Sequence, residues 1–367
     1  MRFRCERDVL AEALAIVSRP AAGSRSAHHG VASGVKAELT GERLQLMGTD
    51  LELTITAALD VRGDEDGRIV IPAKANDIVR SLDSGAVDVV SDQNDVRITA
   101  GRSEFSLKLI PSEQWPQLPE PTGEEIELDA AALADGLGQV VKAASRDDSR
   151  SLALTGVLFS PEPEGLRLVA TDSYRLAMRD LAGTAPGGFD RPVLIPSRAL
   201  TELGRMLAGR EKVTLLLGDS EATFRTENLR LTTRLIEQSF PNYRDLIPTS
   251  YPNKLMVGRL ELLDAVKRVR VMAGDGELTP MRLDIGSDSL DLTVSTRDLG
   301  DAHEALDAKY EGEDMRVAFN AKYFTEGLEV STGDEVTLEI ISASKAALMR
   351  SAESSDFLYL LMPVNAF

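Results

Sequence analysis

The sequence is poor in the residues that most enzymes use for chemistry. It holds one cysteine, Cys5, and three histidines in 367 residues, so an internal disulfide is excluded. No histidine stands at metal-ligand spacing with the cysteine or with another histidine beyond the adjacent pair His28 and His29. The dipeptide Gly-Lys and the Gly-x-Ser-x-Gly signature are both absent, which excludes the standard P-loop and the common serine-hydrolase motif. We therefore expect no metal site, no cofactor and no catalytic centre.

Long apolar segments are also missing. No apolar run approaches the roughly 18 residues that span a membrane. The N-terminus, MRFRCERDVLAEAL, lacks the apolar core and the cleavage site of a signal peptide. With a single cysteine, these features predict a cytoplasmic protein without a membrane partner.

What the sequence does contain is one pattern that occurs three times. The copies of one segment are RIVIPAKANDIVRSL (68–82), PVLIPSRALTELGRML (192–207) and MRVAFNAKYFTEGLEV (315–330). Within them Pro72, Pro196 and Asn320 are spaced by 124 and 124 residues. Two more kinds of segment recur three times in the same order, namely amphipathic stretches at 7–19, 132–145 and 260–273 and strand pairs at 44–55, 166–178 and 291–302. Chance is a poor explanation for such an order.

The repeats predict an α+β protein of three domains. Pro-rich and polar linkers at 116–125 and 247–254 separate domains 1–120, 125–247 and 254–367. Each domain contains a strand, a helix, several strands, a second helix and further strands. Alternating apolar residues such as Leu44 and Leu46, or Leu51, Leu53 and Ile55, indicate the strands.

Charge is distributed unevenly between the predicted helices and the rest of the chain. The six helices at 7–19, 72–82, 132–145, 197–210, 260–273 and 320–331 carry a net charge of +3, whereas the whole chain carries −18 and the remainder therefore −21. This asymmetry favours helices that face a polyanion and acidic sheets that face away, largely screened beyond the Debye length of about 8 Å. Ordinary scatter among solvated helix faces is the alternative.

The basic side chains that would meet such a polyanion lie on or next to these helices. They are Lys74, Arg80, Lys142, Arg146, Arg150, Arg198, Arg205, Lys267, Arg268 and Arg270.

Two aspartates suggest an enzymatic function as an alternative to polyanion binding. Asp50 and Asp172 occupy equivalent Thr-Asp positions, which on a repeated α+β scaffold allows a hydrolase. They are 122 residues apart, and Thr-Asp at a strand end is more typical of a turn. A scaffold protein that forms an array of three domains without binding a polyanion is a further alternative.

Several segments resemble the bacterial DNA polymerase III beta subunit, or sliding clamp, along essentially the whole chain. The most specific are ATDSYRLAM (170–178), RLIEQSFPNYRDLIP (234–248), AFNAKYFTEGL (318–328) and YLLMPV (359–364). The last two forms are most similar to actinobacterial clamps.

The resemblance implies three clamp domains, each with two helices on the inner face and two antiparallel sheets outside, in a head-to-tail dimeric ring. The ring encircles duplex DNA and tethers the polymerase III catalytic subunit, the clamp loader and other proteins that carry a clamp-binding motif; it is not an enzyme. The implied dimer interface comprises Phe105, Leu107 and Leu109 of the first domain and Val271 and Met272 of the third.

The resemblance also implies a peptide-binding cleft between the second and third domains. Its residues here are Leu154, Thr171, Tyr174, Arg175, Leu176, Pro241, Leu246, Asn320, Tyr323, Met362, Pro363 and Val364. Aliphatic side chains and methionine suit an adaptable apolar pocket, in which Arg175 and Asn320 would orient polar groups of the peptide.

Three departures from the family pattern bear on specialisation. The loop RSAHHGVASGV (25–35) lacks two expected prolines and keeps Arg25 as its DNA contact. Asn365 replaces an arginine near the C-terminus, and Asp245 stands where a basic or neutral residue is common. One hypothesis is a duplicate clamp that confers self-resistance to a cleft-binding inhibitor; drift in an ordinary replicative clamp is the other.

Overall fold

The computed structural model describes residues 1–23, 34–183, 191–272, 279–296 and 299–365. The chain forms two compact units, Met1–Ala131 with Arg205–Leu235, and Ala132–Gly204 with Ile236–Phe367. The second sequence repeat therefore contributes to both units. Arg25, His28 and His29 lie outside the described residues.

Each of the six predicted helices is present, and one short helix is added. In the described residues the helices are α1 (Arg7–Val17), α2 (Arg19–Gly23), α3 (Lys74–Ser81), α4 (Ala130–Val140), α5 (Ser197–Met206), α6 (Arg259–Arg270) and α7 (Ala321–Val330). None of them combines the length and the apolar composition that a membrane crossing requires.

The helices are shorter than the sequence predicted, and this changes the charge argument. Arg19, Lys142 and Arg210 fall beyond the ends of α1, α4 and α5, while α6 begins one residue earlier and gains Arg259. The six longer helices therefore carry a net charge of +1 rather than +3. The basic character of the helical face depends on residues at and just past helix ends.

The first unit contains two antiparallel sheets. The smaller has the strand order β5-β1-β7-β8-β9, with β1 (Arg2–Glu6), β5 (Arg62–Glu65), β7 (Ala86–Ser91), β8 (Asp95–Ala100) and β9 (Ser103–Lys108). The larger has the order β10-β15-β16-β17-β4-β3-β2-β6, with β2 (Gly34–Thr40), β3 (Arg43–Thr49), β4 (Leu53–Asp60), β6 (Gly67–Pro72), β10 (Glu124–Asp129), β15 (Lys212–Leu217), β16 (Glu221–Arg225) and β17 (Leu229–Arg234).

The second unit also contains two antiparallel sheets. The larger has the order β14-β11-β12-β13-β26-β25-β24-β18-β22, with β11 (Gly156–Glu162), β12 (Gly165–Thr171), β13 (Arg175–Ala182), β14 (Val193–Pro196), β18 (Asn253–Gly258), β22 (Lys309–Glu311), β24 (Glu335–Ile340), β25 (Ala347–Ser351) and β26 (Phe357–Leu361). The smaller has the order β21-β20-β19-β23, with β19 (Pro280–Ile285), β20 (Ser289–Thr296), β21 (Gly300–Asp307) and β23 (Met315–Asn320).

Alternation of apolar residues predicted most strand faces correctly. Leu44, Leu46, Leu53 and Ile55 are buried on β3 and β4. The same pattern assigned Leu51 to a strand, and this prediction is wrong. Leu51 is 59% exposed and has a φ of 76°, a conformation that belongs to a tight turn. The apolar alternation therefore continues across a turn that it does not reveal.

One rule joins consecutive repeats. In the first unit β4, which follows the Thr-Asp turn of the first repeat, pairs with β17, the last strand of the second. In the second unit β13, which follows the Thr-Asp turn of the second repeat, pairs with β26, the last strand of the third. Both pairs are antiparallel, so each larger sheet is built from two repeats.

Candidate functional site

The β13–β26 junction brings together residues that lie about half the chain apart in sequence. Arg175 pairs with Leu361 and Leu176 with Leu360. The pairing continues past the ends of both strands, because the Met362 N–H donates to the Tyr174 carbonyl at 2.8 Å. The Val364 N–H then donates to the Ala318 carbonyl of β23 at 2.8 Å. The last strand thus fixes the segment 362–364 beside the turn that precedes β13.

Side-chain hydrogen bonds shape that turn. The Asp172 Oδ1 accepts hydrogen bonds from the N–H groups of Tyr174 and Arg175, both at 3.0 Å. The Thr171 hydroxyl donates to the Arg175 carbonyl at 2.7 Å and accepts from the Ser173 N–H at 3.2 Å. Ser173 has a φ of 76°. The Thr-Asp pair is therefore turn chemistry, as the sequence indicated.

The first junction has the same backbone geometry with different side chains. The Asp50 Oδ1 accepts from the N–H groups of Glu52 and Leu53 at 3.1 and 2.8 Å, and the Arg234 N–H donates to the Glu52 carbonyl at 3.1 Å. Glu52 and Arg234 thus occupy the positions of Tyr174 and Met362. Polar side chains replace an apolar pair at one of two equivalent junctions.

The second junction has an apolar floor. Leu176, Leu358 and Leu360 are buried in one cluster that also includes Tyr243 from the connection between the second and third repeats. Ile247 packs against the same cluster, as do Phe240 and Tyr251, so we call residues 236–251 the strap.

An exposed apolar rim surrounds this floor. Leu152 is 44% exposed, Tyr174 43%, Leu246 49% and Met362 42%. Leu154, by contrast, is buried, and Pro363 and Val364 are half-buried. Exposed large apolar side chains beside a buried apolar cluster are typical of a surface that receives an apolar ligand.

The strap has its own polar contacts. The Arg244 guanidinium donates to Glu162 at 2.5 Å and lies 5.5 Å from the Tyr243 ring centroid. The Asn242 side-chain amide donates to the Asp245 carboxylate at 2.6 Å. Asp245 is exposed, as is the neighbouring Pro241. The strap therefore presents a negative charge next to Leu246.

Arg175 lies beneath the rim and is 7% exposed. Its Nε donates to Asp172 at 3.0 Å, and its Nη1 donates to Glu326 and to the Tyr359 hydroxyl, the latter at 3.1 Å. Its Nη2 donates to the Lys142 carbonyl. Burial alone would lower the pKa of the Arg175 guanidinium. The contacts with Tyr359 and Glu326 raise this pKa by more than burial lowers it, so it stays above its ordinary value.

An aromatic ring completes this environment. The guanidinium carbon of Arg175 is 4.2 Å from the Tyr323 ring centroid, a close cation–π contact. The sequence suggested that Arg175 orients a bound peptide. In the structure its contacts join β13 to the preceding turn, to Lys142, to α7 and to β26, and its role toward a peptide stays a prediction.

Asn320 caps α7. Its Oδ1 accepts hydrogen bonds from the N–H groups of Lys322 and Tyr323 at 2.9 and 3.3 Å, and it is 3% exposed. The Tyr323 carbonyl accepts from the Tyr359 hydroxyl at 3.2 Å. Asn320 thus holds the start of the helix on which Tyr323 and Glu326 lie.

The predicted basic residues fall into several environments. Lys74 pairs with Asp77 at 2.8 Å, and the Arg268 Nε donates to Glu304 at 3.1 Å. Arg150 lies at the cleft rim, because its Nη1 donates to the Tyr174 hydroxyl at 3.0 Å and it stacks over that ring. The exposed residues of the remaining set are Arg80, Arg146 and Arg205, and the half-buried ones are Arg198 and Arg270.

Lys142 and Lys267 share one carboxylate. The Glu329 Oε2 lies 3.3 Å from the Lys142 Nζ, and its Oε1 lies 3.4 Å from the Lys267 Nζ. Glu329, Glu326 and Tyr359 were not predicted from the sequence as site residues. Their signal was present, since the two glutamates lie three residues apart on a helix otherwise expected to face a polyanion.

The predicted dimer residues lie on or near two sheet edges. Strand β9 is the outer strand of the smaller sheet in the first unit, and its Phe105 is 36% exposed while Leu107 and Leu109 are half-buried. Strand β21 is the outer strand of the smaller sheet in the second unit. Val271 is 78% exposed, and the Met272 methyl lies 4.0 Å from where a Cβ would stand on Gly300, the first residue of β21.

Two other features of the described part of the chain bear on where a site lies. The described residues hold no group of three or more His, Cys, Asp or Glu side chains that could bind a metal ion. A shallow depression in the first unit, lined by Cys5, Arg43 and Asp60 among others, contains none of the predicted cleft residues.

Comparisons with known proteins agree over the whole chain. Three family models match it: the DNA polymerase III beta subunit N-terminal domain at 1–119, its central domain at 127–242 and its C-terminal domain at 244–365.

Individual relatives match at full length. The beta sliding clamp of Synechococcus elongatus is 33% identical and that of Streptomyces coelicolor 30%, each over 100% of this chain and 99% of the relative. A sliding clamp (DNA polymerase III subunit beta) from Bartonella birtlesii, solved bound to griselimycin, is 30% identical with a TM-score of 0.93 and covers 100% of both chains.

Proposed function

Because this chain belongs to the DNA polymerase III beta subunit family, we propose that two copies pair head to tail into a ring that encloses duplex DNA and tethers the polymerase. The family is a non-enzymatic, cytoplasmic processivity factor of DNA replication, which sets aside the hydrolase hypothesis for Asp50 and Asp172. Its partners are DNA, the polymerase III catalytic subunit and the clamp loader.

The observation that carries ring closure is the rule that joins consecutive repeats. Within the chain, β4 pairs with β17 and β13 with β26. In the third repeat the strand that corresponds to β4 and β13 is β21, which pairs with β20. In the first repeat the strand that corresponds to β17 and β26 is β9, the last strand of that repeat. Strands β21 and β9 belong to different sheets, and each has one hydrogen-bonded neighbour among the described strands. A second copy supplies the missing partner for each.

Side chains at these edges suit such a pairing. Phe105 and Leu107 on β9 and Val271 and Met272 beside β21 supply apolar area, and burial of that area disfavours open edges. Strand β21 carries three carboxylates, of which Glu304 pairs with Arg268, whereas β9 and the turn before it carry Arg102, Glu104 and Lys108, a net charge of +1. We propose that the five predicted interface residues meet here.

The cleft at the second junction is the proposed peptide site. Its support is the difference between two equivalent junctions, since an apolar rim exists where Tyr174 and Met362 lie and is replaced where Glu52 and Arg234 lie. In this proposal Leu154, Leu176, Pro241, Pro363 and Val364 shape the pocket. Thr171, Arg175, Asn320 and Tyr323 hold it from below.

The remaining assignments complete the proposal. The domains extend over 1–120, 125–247 and 254–367. The basic residues that face the duplex are those predicted from the sequence. We expect each to contribute weak, sequence-independent phosphate contacts.

Retention on circular DNA tests the proposed function. The clamp loader places the protein on nicked circular DNA, and gel filtration then measures how much stays bound before and after linearisation. We expect retention that is lost on linearisation. A scaffold protein without a DNA role would show no retention, and binding that survives linearisation would contradict a ring.

The two junctions supply a matched pair of variants for the cleft. Met362→Ala should weaken binding of a clamp-binding peptide about tenfold or more, because it removes an apolar rim side chain. Arg234→Ala, at the equivalent position, should leave peptide affinity unchanged. Equal effects of the two substitutions, measured by fluorescence anisotropy, would refute the cleft assignment.

A second candidate function rests on the strap. Asp245 places a carboxylate beside Leu246, and Asn365 is an exposed neutral residue near the C-terminus. A duplicate clamp that confers self-resistance would bind clamp-binding peptides but bind griselimycin poorly. Tight binding of both ligands in parallel titrations would leave the ordinary replicative function.

A further inference from the structure

Glu329 lies between two lysines that come from different segments of the second unit. Lys142 follows α4, Lys267 is on α6 and Glu329 is in the last turn of α7. The side chains of both lysines are 50% exposed and that of Glu329 is 35% exposed. Nearby, the Gln139 side-chain amide donates to the Val330 carbonyl at 3.0 Å, which holds α4 against the end of α7. The three charges therefore have defined positions at a solvent-accessible surface.

One carboxylate offsets part of the charge of two ammonium groups. Although burial raises it, hydrogen bonds and the positive charges of Lys142 and Lys267 hold the pKa of Glu329 below its ordinary value, so the group is ionised at neutral pH. The three side chains together carry one positive charge rather than two. An ammonium held near a carboxylate has one of its three N–H donors engaged and its positive charge partly offset, so it attracts a phosphate less strongly.

We infer that Glu329 is a positioning residue that restrains Lys142 and Lys267. It thereby limits the affinity of the helices that face the duplex for the DNA backbone. This inference rests on the proposed function, which places those lysines toward the duplex. Each lysine that binds a phosphate releases counterions and adds to the affinity. A carboxylate shared between two lysines keeps these contacts weak, so that the protein can move along the duplex.

A purely structural ion pair would behave differently. If Glu329 only held α7 against its neighbours, its loss would lower stability and leave DNA affinity unchanged or reduced. If it restrains the lysines, its loss raises DNA affinity. The two explanations predict opposite directions for the same measurement.

Glu329→Gln is the test variant, because glutamine keeps the size and an acceptor oxygen while removing the charge. Binding of a short duplex is measured by fluorescence anisotropy between about 50 and 200 mM KCl. We expect the slope of log K against log salt to become steeper by about 0.9 to 1.8, which corresponds to one or two additional phosphate contacts. Affinity at the lowest salt should rise several-fold.

Two controls separate this effect from a general change in charge. Glu311→Gln removes the same formal charge from exposed strand β22 and should leave the slope near that of the unmodified protein. Adding Lys142→Gln and Lys267→Gln to Glu329→Gln should abolish the gain. A gain that survives both lysine substitutions would overturn the inference.

The inference and the proposed function fail in distinguishable ways. If the unmodified protein is retained on circular DNA and Glu329→Gln shows an unchanged slope or a loss of affinity, the inference is wrong and the ring remains. If the unmodified protein is not retained on circular DNA, the proposed function is wrong and the inference fails with it.

Discussion

Replacing Arg175 by methionine should strongly destabilise the second unit. The guanidinium is 7% exposed and pairs with Asp172 and Glu326, whose side chains are 10% and 19% exposed. Methionine leaves two nearly buried carboxylates without a cation. Removal of one partner from a buried ion pair costs about 3–5 kcal/mol. For a unit of this size the midpoint of thermal unfolding should fall by roughly 6–20 °C, at about 2–4 °C per kcal/mol.

The assay can distinguish the two units because of the distribution of one residue type. Trp115, the single tryptophan, lies in the first unit. Arg175→Met should therefore lower the midpoint measured by far-ultraviolet circular dichroism more than the midpoint measured by tryptophan fluorescence. Since the protein has more than one cooperative unit, midpoints rather than a single free energy of unfolding are compared.

A variant that lacks all three charges tests whether the unpaired carboxylates cause the loss of stability. Combining Arg175→Met with Asp172→Asn and Glu326→Gln removes the uncompensated carboxylates and should recover most of the lost stability. Leu53→Met, at the equivalent position of the first junction, should cost less than about 1.5 kcal/mol because it conserves volume. The reasoning is refuted if Arg175→Met costs no more than Leu53→Met, or if the triple variant is no more stable than Arg175→Met.

Three further predictions concern other parts of the chain. Burial, together with Glu6 and Asp88, raises the pKa of Cys5 to about 12, so at about pH 8 its thiolate population should be about a thousandfold lower than in the unfolded chain. Because a thiolate of higher pKa is the stronger nucleophile, its reaction with a disulfide reagent should be slower by about 30- to 60-fold; comparable rates with and without guanidinium chloride would contradict this. Gly327→Ala would place a Cβ 2.7 Å from the buried Tyr359 ring and should cost about 1–3 kcal/mol in thermal unfolding, whereas Gly138→Ala in α4, where a Cβ meets nothing within 4 Å, should stabilise by about 0.5–1 kcal/mol. Phe105→Asp should shift sedimentation equilibrium from dimer to monomer at micromolar concentration without changing the circular dichroism spectrum, and an undiminished dimer would exclude β9 from the interface.

The sequence predicted the repeating elements better than their contacts. Spacing alone placed Pro72, Pro196 and Asn320 before three helices, and α3, α5 and α7 begin within two residues of them. Spacing did not show that only Asn320 acts as a side-chain cap. A proline cannot donate a backbone hydrogen bond and has no side-chain acceptor, so equivalent positions end their strands by different means.

The site was predictable where it depends on local chemistry and not where it depends on strand register. The Thr-Asp turn was evident from Asp172 and its neighbours. The partners of Arg175 were not, because Glu326 and Tyr359 reach it only through the pairing of β13 with β26. Helix ends were the least predictable feature. Lys142 was predicted to lie on a helix but follows the end of α4, and it still pairs with Glu329.

The rule that joins consecutive repeats creates two kinds of contact with different responses to dilution. Where β4 meets β17 and β13 meets β26, both strands belong to one polypeptide, so the connecting chain maintains an effective concentration in the millimolar range whatever the protein concentration. Where β21 would meet β9 of another molecule, occupancy depends on how many molecules are present. At low protein concentration the dimer should therefore dissociate into single polypeptides, in each of which the two internal strand pairs remain formed.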